Sequence, residues 1–266
     1  KITNKKINPF MSFGKMPIAN GFIDKKNFSK EFYFDMEVGF SEDLSLFQLN
    51  DHPKPENMFN STYPFYSGSS EYMKNHFEIF SNFVKKNYLN SESKIIEIGS
   101  NDGTLLKNFL DNKKNILGVE PSKNVADKAI SVGVPTLNKF FNTNNVSNLK
   151  SFLGKTDVIM ASNCICHIPD LDDLIQGIDL LLSLDGTFIF EEPYLGSMIE
   201  KTSYDQIYDE HIYMFSVSSV QKIFKRYNFE LIDVIPQITH GGSMRYIVKR
   251  ARNNIISNQM NKILEN

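Results

Sequence analysis

A short apolar run followed by two glycines constrains the fold more than any other stretch of this chain. Residues Ile95 to Ile98 predict a buried parallel strand, which breaks at Gly99 and again at Gly103. Apolar residues at helical spacing follow over residues 104–110. Glycine lets a ligand approach the backbone because it has no Cβ, and the start of a helix offers free N–H groups. The stretch therefore predicts a ligand site between a strand and a helix.

An acid at the end of this strand narrows the class of ligand. A dinucleotide site requires the pattern G-x-G-x-x-G, and a phosphate loop requires Lys followed by Ser or Thr after its last glycine; this turn has neither. Glu97 would repel a pyrophosphate, whereas it suits a cationic or amine-bearing ligand. A second apolar strand, residues 116–119, ends in another acid, Glu120. The alternative is a doubly wound domain with an unrelated ligand, since a glycine at a tight turn needs no cofactor to explain it.

The spacing Glu97-x-Gly99-x-x-x-Gly103, together with Glu120, resembles the first motifs of class I S-adenosylmethionine (SAM) methyltransferases. In that family the acid after the second strand binds the two ribose hydroxyls. The resemblance implies SAM as the cofactor and S-adenosylhomocysteine as the product. The cofactor contacts that it implies are Glu97, Gly99, Ser100, Asn101, Asp102, Gly103, Glu120, Pro121 and Asn163.

The composition argues against several classes of partner. With 29 basic and 31 acidic residues and a net charge of −2, the chain has no general basic field for nucleic acid or for a membrane surface. No apolar run approaches the ~18 residues of a membrane span, and no signal-peptide pattern opens the chain. Cys164 and Cys166 are too close together to staple a fold, which indicates a reducing compartment. We expect a cytoplasmic protein with a small-molecule substrate, and the oligomeric state is left open.

Strands and helices alternate from residue 94 onward, in the rhythm of a parallel sheet with crossover helices. The predicted strands cover residues 94–98, 116–120, 134–137, 157–162 and 186–191, and the predicted helices cover residues 103–111, 122–131, 144–153 and 170–183. A helix opening at Ser216 and two strands, 230–235 and 243–249, follow, and those strands are close enough to be antiparallel neighbours. The expected fold class is α/β: a class I SAM methyltransferase (Rossmann-like) with a mostly parallel sheet and an antiparallel last strand.

The first 60 residues have a different pattern. Residues 31–38 alternate, which predicts a strand whose apolar face carries Phe32, Phe34, Met36 and Val38. A turn over residues 39–43 and a second strand over residues 44–49 follow. We expect a small β appendage over residues 1–60, a methyltransferase domain over residues 61–250 and a helical tail over residues 251–266.

Three polar clusters are candidates for chemistry. The first, Tyr208, Glu210 and His211, lies in a loop of about 25 residues after strand 186–191, and loops this long are often functional. An adjacent carboxylate can orient a histidine and raise its basicity, although a structural hydrogen-bond network is the alternative.

The second cluster, Cys164, Cys166 and His167, has the wrong spacing for structural zinc, and His167 is expected near the cofactor. The third contains His240 and Gly241 in a turn between two strands, which a structural role would also explain. His76, on a helix that begins near Ser69 or Ser70, is interpreted as a core-edge residue.

A series of motifs resembles the sugar C-methyltransferases of deoxysugar biosynthesis, which methylate C3 of a nucleotide-linked 4-keto-6-deoxy sugar. The motifs occur in one order: Phe13 to Asn20, Tyr63 to Ser70, Glu97 to Gly103, Gly118 to Pro121, His167 to Asp170, Tyr208 to His211 and Thr239 to Ser243. In this family a base removes the proton next to the ketone, and the resulting enolate carbon takes the methyl group. The resemblance implies His211 as the base, Tyr208 and Glu210 as groups that orient it or stabilise the enolate, and His167 and Tyr63 as groups that position the sugar. The substrate contacts that it implies are Tyr66, Ser67, Glu192, Tyr194, His240 and Gly241.

Two departures from this family concern a metal and the acceptor. The family usually holds zinc in its N-terminal part through two Cys-x-x-Cys pairs, but here the second pair falls on Val38 and Ser41 and no cysteine precedes it. We therefore expect no metal. The family usually carries a further α/β domain after the His-Gly-Gly segment, whereas this sequence ends at Asn266, which leaves the acceptor open. The alternatives are an O- or N-methyltransferase acting on a sugar or another small molecule, and a non-catalytic SAM-binding scaffold.

Overall fold

The computed structural model describes residues 7–265 of the chain, apart from the side chains of residues 112–114 and 265. The described residues form strands β1 (Pro9–Pro17), β2 (Tyr33–Ser41), β3 (Leu46–Leu49), β4 (Ile95–Ile98), β5 (Ile116–Val119), β6 (Thr136–Leu137), β7 (Thr156–Ser162), β8 (Leu182–Pro193), β9 (Tyr213–Met214), β10 (Phe229–Gln237) and β11 (Ser243–Arg250). The α-helices are α1 (Pro55–Met58), α2 (Glu71–Tyr88), α3 (Lys123–Ser131), α4 (Thr143–Val146), α5 (Leu171–Leu181), α6 (Leu195–Lys201), α7 (Val217–Lys225) and α8 (Asn258–Glu265). The 3-10 helices cover Lys25–Lys30, Ser67–Ser69, Leu106–Asn115, Ile165–His167, Tyr204–Gln206 and Thr239–Gly241.

The larger sheet has seven strands in the order β10-β11-β8-β7-β4-β5-β6. The five strands from β8 to β6 are parallel to one another, and β11 runs antiparallel to both of its neighbours. The expected mostly parallel Rossmann-like sheet with an antiparallel last strand is confirmed. Because the carboxyl ends of the parallel strands meet at one edge, the turns after β4, β5 and β7 come together there.

Both faces of this sheet are covered, which explains why its strands are apolar runs. Ile96 and Ile98 pack into a core with α5 and α7, whereas Ile95 packs on the opposite face with Phe77 and Phe80 of α2. The predicted helix starts are also present: Ser70, Asp170 and Ser216 each accept a hydrogen bond from a backbone N–H in the first turn of α2, α5 and α7. No helix among the described residues is both long and apolar enough to span a bilayer.

The smaller sheet is antiparallel, in the order β1-β2-β3-β9. Phe34, Met36 and Val38 share its buried face, as the alternation predicted, and pack with Met198 of α6 and Met214 of β9. The expected place of Phe32 on this face is wrong, because that residue precedes β2 and is exposed. The fourth strand, β9, begins two residues after His211, so the later part of the chain completes this sheet. The division of the chain at residues 60 and 250 stays a prediction, and residues 1–6 and 266 lie outside the described residues.

Two predicted helices differ because side chains compete for the backbone. The predicted helix 103–111 is a 3-10 helix over Leu106–Asn115, and the Asn108 side chain donates to the carbonyls of Thr104 and Leu105. The predicted helix 144–153 shrinks to α4, where Asn145 and Asn148 donate to nearby carbonyls.

The other differences concern boundaries. Strand β2 continues to Ser41, so the turn before β3 covers residues 42–45 rather than 39–43, with Ser45 at φ +50°. The tail helix begins at Asn258 and not near residue 250. Strand β1 had no prediction, because all but two of its nine residues are exposed and the burial pattern does not alternate.

Candidate active site

A cavity of about 330 Å³ lies at the edge where the parallel strands end. Its floor is made by the turns after β4, β5 and β7, which contribute Gly99, Glu120 and Asn163. Its walls come from the segment between α1 and α2, from the loop before β9, and from the turn between β10 and β11. All five residues predicted as catalytic line this cavity: Tyr63, His167, Tyr208, Glu210 and His211.

The turn after β4 needs glycine for steric reasons. Gly99 has φ +66°, and a Cβ there would lie 2.3 Å from Sγ of Cys164. Gly103 has φ +77°, and a Cβ there would lie 3.0 to 3.2 Å from Val134 and Ala129 atoms. The first glycine therefore keeps the cavity floor open, while the second lets α3 and the segment after it pack against the turn.

Glu120 is fixed at the rim of the turn by backbone donors. Its Oε2 accepts a hydrogen bond from the Asn101 N–H at 3.0 Å, and its Oε1 accepts one from the Ser122 N–H at 2.7 Å. Burial raises the pKa of this carboxyl group, while the two backbone donors oppose that rise. Glu120, Pro121, Asn101 and Asn163 all line the cavity, so these predicted cofactor residues lie together with Gly99.

Four predicted cofactor residues do not line the cavity: Glu97, Ser100, Asp102 and Gly103. Glu97 shares the face of β4 that Ile95 occupies, because side chains alternate along a strand. Burial raises its pKa well above the usual value, and its Oε2 has no partner. Asp102 accepts a hydrogen bond from the Gly68 N–H at 2.9 Å, so it fastens the segment before α2 to the turn.

His211 presents one ring nitrogen as a proton acceptor. Its Nδ1 lies 2.8 Å from the backbone oxygen of Gln206. A carbonyl oxygen only accepts, so Nδ1 must carry the proton in that contact and Nε2 is left unprotonated in the neutral ring. Burial lowers the pKa of His211 to about 4, which keeps the ring neutral at ordinary pH.

Aromatic rings hold two of the histidines that line the cavity, His167 and His211, in a column. The rings of Phe59 and His167 stack at 5.5 Å, those of His167 and His211 at 5.4 Å, and the Tyr208 ring lies 4.4 Å from His211. Burial lowers the pKa of His167 well below its usual value, and its Nε2 is buried without a partner. The stacking fixes the orientation of both imidazole rings, and burial keeps both rings neutral.

Glu210 is held from two directions. Its Oε2 accepts a hydrogen bond from the Tyr63 hydroxyl at 3.3 Å, and its Oε1 accepts one from Nδ2 of Asn20 at 2.6 Å. Asn20 lines the cavity, as do Phe59 and Gln206, and these three were not predicted as site residues. Only Asn20 carried a signal in the sequence, because it ends the motif Phe13 to Asn20.

The predicted substrate residues divide into two groups. Ser67 and His240 line the cavity, whereas Tyr66, Glu192, Tyr194 and Gly241 do not. The Tyr66 hydroxyl accepts a hydrogen bond from Nδ2 of Asn124, and Tyr194 forms a bridge with Phe215 behind the site. His240 has φ +51° and Gly241 has φ +75°, so the turn brings only the histidine to the cavity.

Glu192 supports the segment that carries His167. It is fully buried, and its Oε1 accepts hydrogen bonds from the N–H groups of Cys164 and Ile165 at 3.0 and 2.6 Å. Its neighbour Glu191 points to the other face of the sheet, where it contacts His76 at 2.6 Å and Arg245 at 2.7 Å. The two carboxylates at the end of β8 therefore anchor different layers, and His76 is buried beside the ion pair of Glu191 and Arg245.

We expect the stability of the chain to depend on pH through Glu192. Burial raises the pKa of Glu192 to about 7, above the usual value near ~4.3 in an unfolded chain. The folded protein holds this proton more tightly, so this contribution to stability is fully present below about pH 4 and is lost as pH rises through about 7, by about 4 kcal/mol at most. Glu192→Gln keeps the Oε1 acceptor and should remove this loss, so thermal unfolding should show a larger rise in Tm at pH 8 than at pH 5. Parallel Tm curves for the two proteins would contradict the prediction.

One cluster among the described residues could offer three ligands to a metal ion. Ligand atoms of Cys166, His167 and His211 all lie within 4.8 Å of one another. Burial raises the pKa of the Cys166 thiol well above its usual value, so the thiolate that binds a metal is disfavoured. At the two positions that correspond to the family's second Cys-x-x-Cys pair, Val38 and Ser41 are buried, and Val38 packs in the apolar core of the small sheet. Residues at these positions do not fit a structural zinc ion, because neither offers a zinc ligand.

Two family models match the chain. A methyltransferase domain matches residues 72–234, and a zinc binding domain matches residues 3–59. The second match covers a segment that contains no cysteine.

Two curated relatives cover most of the chain. C-methyltransferase NovU of Streptomyces niveus is 27% identical over 235 residues, which are 88% of this chain and 56% of NovU. The chain thus spans little more than half the length of that relative. Carboxy-S-adenosyl-L-methionine synthase of Nautilia profundicola is 29% identical over 197 residues, which are 70% of this chain and 73% of that protein.

Solved structures resemble the larger sheet and its helices. A Haloferax volcanii methyltransferase, in complex with the Trm112 methyltransferase activator, has a TM-score of 0.53 at 13% identity, covering 70% of this chain and 95% of its own. The mitomycin 7-O-methyltransferase MmcR has a TM-score of 0.51 at 12% identity, covering 69% and 55%. At such low identities these likenesses show the fold alone.

Proposed function

The chain belongs to the methyltransferase-domain family and is a SAM-dependent methyltransferase, and we propose that it methylates a carbon next to a ketone in a nucleotide-linked 4-keto deoxysugar. The family follows from the model that matches residues 72–234. The name of NovU and the series of motifs support C-methylation. The chain spans only 56% of NovU, so the match alone does not give the acceptor. The nucleotide-linked sugar is therefore part of the proposal.

The residues that would hold SAM are those that the strand ends bring together. The backbone at Gly99 and Asn101 offers close approach, and Glu120 offers carboxylate oxygens to ribose hydroxyls. Bound SAM supplies an electrophilic methyl group, with its leaving group already attached. The chain has to hold the acceptor in line, remove one proton and exclude water.

The observation that carries this proposal is the unprotonated Nε2 of His211 in the cavity. The Gln206 carbonyl fixes the tautomer, and burial keeps the ring neutral, so Nε2 can take the proton from the carbon next to the ketone. That C–H bond breaks and its electron pair moves into the enolate. The enolate carbon would then take the methyl group as the bond between that group and the sulfonium sulfur breaks, which leaves S-adenosylhomocysteine. Glu210, next in sequence, supplies a negative charge on the same loop as the imidazolium that forms.

The remaining polar groups suit the enolate oxygen. Burial raises the pKa of Tyr208 and of Tyr63 far above the ordinary value, so both keep their hydroxyl protons. Tyr63 donates to Glu210, which leaves the Tyr208 hydroxyl and the buried Nε2 of His167 as donors for the oxygen. Among the described residues that line the cavity none is Lys or Arg, which suits a neutral reacting group such as a ketone better than an anionic one.

Transfer of a labelled methyl group from SAM tests the proposal. The acceptors are a panel of nucleotide-linked sugars with and without a 4-keto group, and NMR locates the methylated atom. We expect methylation at C3 of the 4-keto sugars only. Methylation of a hydroxyl or an amine would instead support the O- or N-methyltransferase alternative, and no transfer despite tight SAM binding would support a scaffold.

We further propose that transfer needs no metal. The residues that replace the zinc cysteines are apolar or hydroxylic, and a base with a free ring nitrogen accounts for proton removal. Dialysis against EDTA should leave the rate unchanged, and metal analysis of the purified protein should find no stoichiometric zinc. Loss of activity on chelation, restored by zinc but not in Cys166→Ser, would show instead that the cluster of Cys166, His167 and His211 binds a functional ion.

A further inference from the structure

A tight turn from the N-terminal part of the chain closes against the catalytic loop. The turn covers residues 18–21, and the Gly21 N–H donates to the Ile18 carbonyl at 3.1 Å. Its two central residues meet two consecutive acids: the Ala19 N–H donates to Oδ1 of Asp209 at 3.1 Å, and Nδ2 of Asn20 donates to Oε1 of Glu210 at 2.6 Å. These partners are 190 residues apart in sequence. Asn20 also lines the cavity, so the contact lies inside the active site.

The environment of Glu210 makes this contact electrostatically important. Glu210 is 2% exposed, and burial together with the neighbouring Asp209 raises its pKa, while Asn20 and Tyr63 lower it. The titratable groups near Glu210 are Tyr63 before α2, Cys166 after β7, and Tyr208, Asp209 and His211 on its own loop. Asn20 is the donor with the shorter distance, and it adds no charge of its own.

We propose that Asn20 is a positioning residue of the active site, whose carboxamide holds the Glu210 carboxylate in place on the loop that carries His211. The inference rests on the proposed function, in which Glu210 supports the imidazolium formed on His211. It gives the small N-terminal sheet a role in the reaction, because the turn after β1 completes the site. A neutral amide suits this place, since an acid would repel Glu210 and an alanine would leave Oε1 without its donor.

Two substitutions at residue 20 separate a role in the reaction from a role in packing alone. Asn20→Ala should lower methyl transfer about 10- to 100-fold at every pH, as expected for a lost hydrogen bond to a charged group. Asn20→Asp should be worse at pH 8, where two carboxylates face each other, and should recover toward pH 6 because the pair then shares a proton. The ratio of Asn20→Asp to wild-type activity should therefore rise as pH falls, whereas the Asn20→Ala ratio should stay flat. SAM affinity should not change in either variant.

A charge exchange tests the contact without any acceptor. Asn20→Asp should lower Tm at pH 8, and the double variant Asn20→Asp/Glu210→Gln should restore it, because one carboxylate and one amide again face each other. Asn8→Asp places the same charge on an exposed residue of the N-terminal segment and should change Tm little.

The outcomes distinguish this inference from the proposed function. If Asn20→Asp is no less stable than Asn8→Asp, or the double variant restores nothing, the pairing of residues 20 and 210 is refuted. If the Tm results hold but both activity ratios at residue 20 are flat with pH, Asn20 only packs the turn. If no keto sugar is methylated, the proposed function fails while the Tm results still decide the pairing.

Discussion

His211→Ala is expected to lower methyl transfer by ~10²–10⁴-fold, the usual contribution of a general base, while SAM affinity stays that of the wild type. The reason is the fixed tautomer: the Gln206 carbonyl holds Nδ1, so removing the ring removes the Nε2 acceptor from the cavity. Rates under saturating SAM and calorimetry with SAM give the two readouts. His52→Ala is a matched control, because Nδ1 of His52 also meets a backbone carbonyl, that of Pro53 at 3.0 Å, but His52 does not line the cavity.

Hydrogen exchange makes this prediction specific for carbon. A wild-type enzyme that forms an enolate should move deuterium from D₂O into C3 of a 4-keto sugar, when a SAM analogue that cannot donate a methyl group is bound. His211→Ala should lose this exchange as well as transfer. Unchanged transfer in His211→Ala would refute the base, and wild-type methylation of a hydroxyl without exchange at carbon would leave only the O-methyl alternative.

Gly99→Arg is expected to abolish SAM binding in calorimetry. Gly99 has φ +66°, which side chains rarely adopt, and any Cβ there lies 2.3 Å from Sγ of Cys164 at the cavity floor. The backbone must therefore move, and the arginine side chain would fill the space that the cavity offers.

Gly154→Arg is the control for this substitution. Gly154 has nearly the same conformation, φ +61°, but a Cβ there meets nothing within 4 Å. It should bind SAM like the wild type and bear only the conformational cost that both variants share. Equal affinities for Gly99→Arg and wild type, in chains of equal helical content by circular dichroism, would refute the cofactor site.

The place of Gly99 and Glu120 at the sheet edge was predictable because its determinants are local. A parallel strand covered on both faces is an apolar run, and a run that ends in an acid or a glycine marks the sheet edge at Gly99 and Glu120. By contrast, the local sequence does not show toward which face of the sheet a side chain at a strand end points. Glu97 and Glu192 both stand at strand ends, yet each points into a covered face, because the two-residue period decides which layer a side chain enters.

The catalytic side was predictable only through its motifs. Nothing in residues 204–211 shows that a carbonyl fixes His211 or that Phe59 and His167 stack in one column with it. The contact of Asn20 with Glu210 joins a turn that no periodicity marks to a loop far along the chain. The extents predicted for helices 103–111 and 144–153 were wrong for a related reason. Whether an asparagine side chain hydrogen-bonds to nearby backbone groups depends on which other partners the fold brings close to it.

The spacing of contacts along the chain also affects the order in which the two halves of the site form during folding. Glu120 meets the backbone of Asn101 over 19 residues of sequence, whereas Glu210 meets Asn20 over 190. Closing a tenfold longer loop costs about 2 kcal/mol more chain entropy. Strand β9, which begins two residues after His211, adds a second long-range closure through its pairing with β3. The turn after β4 can therefore form early, while His211 reaches its place only when the N-terminal part of the chain has met the loop before β9.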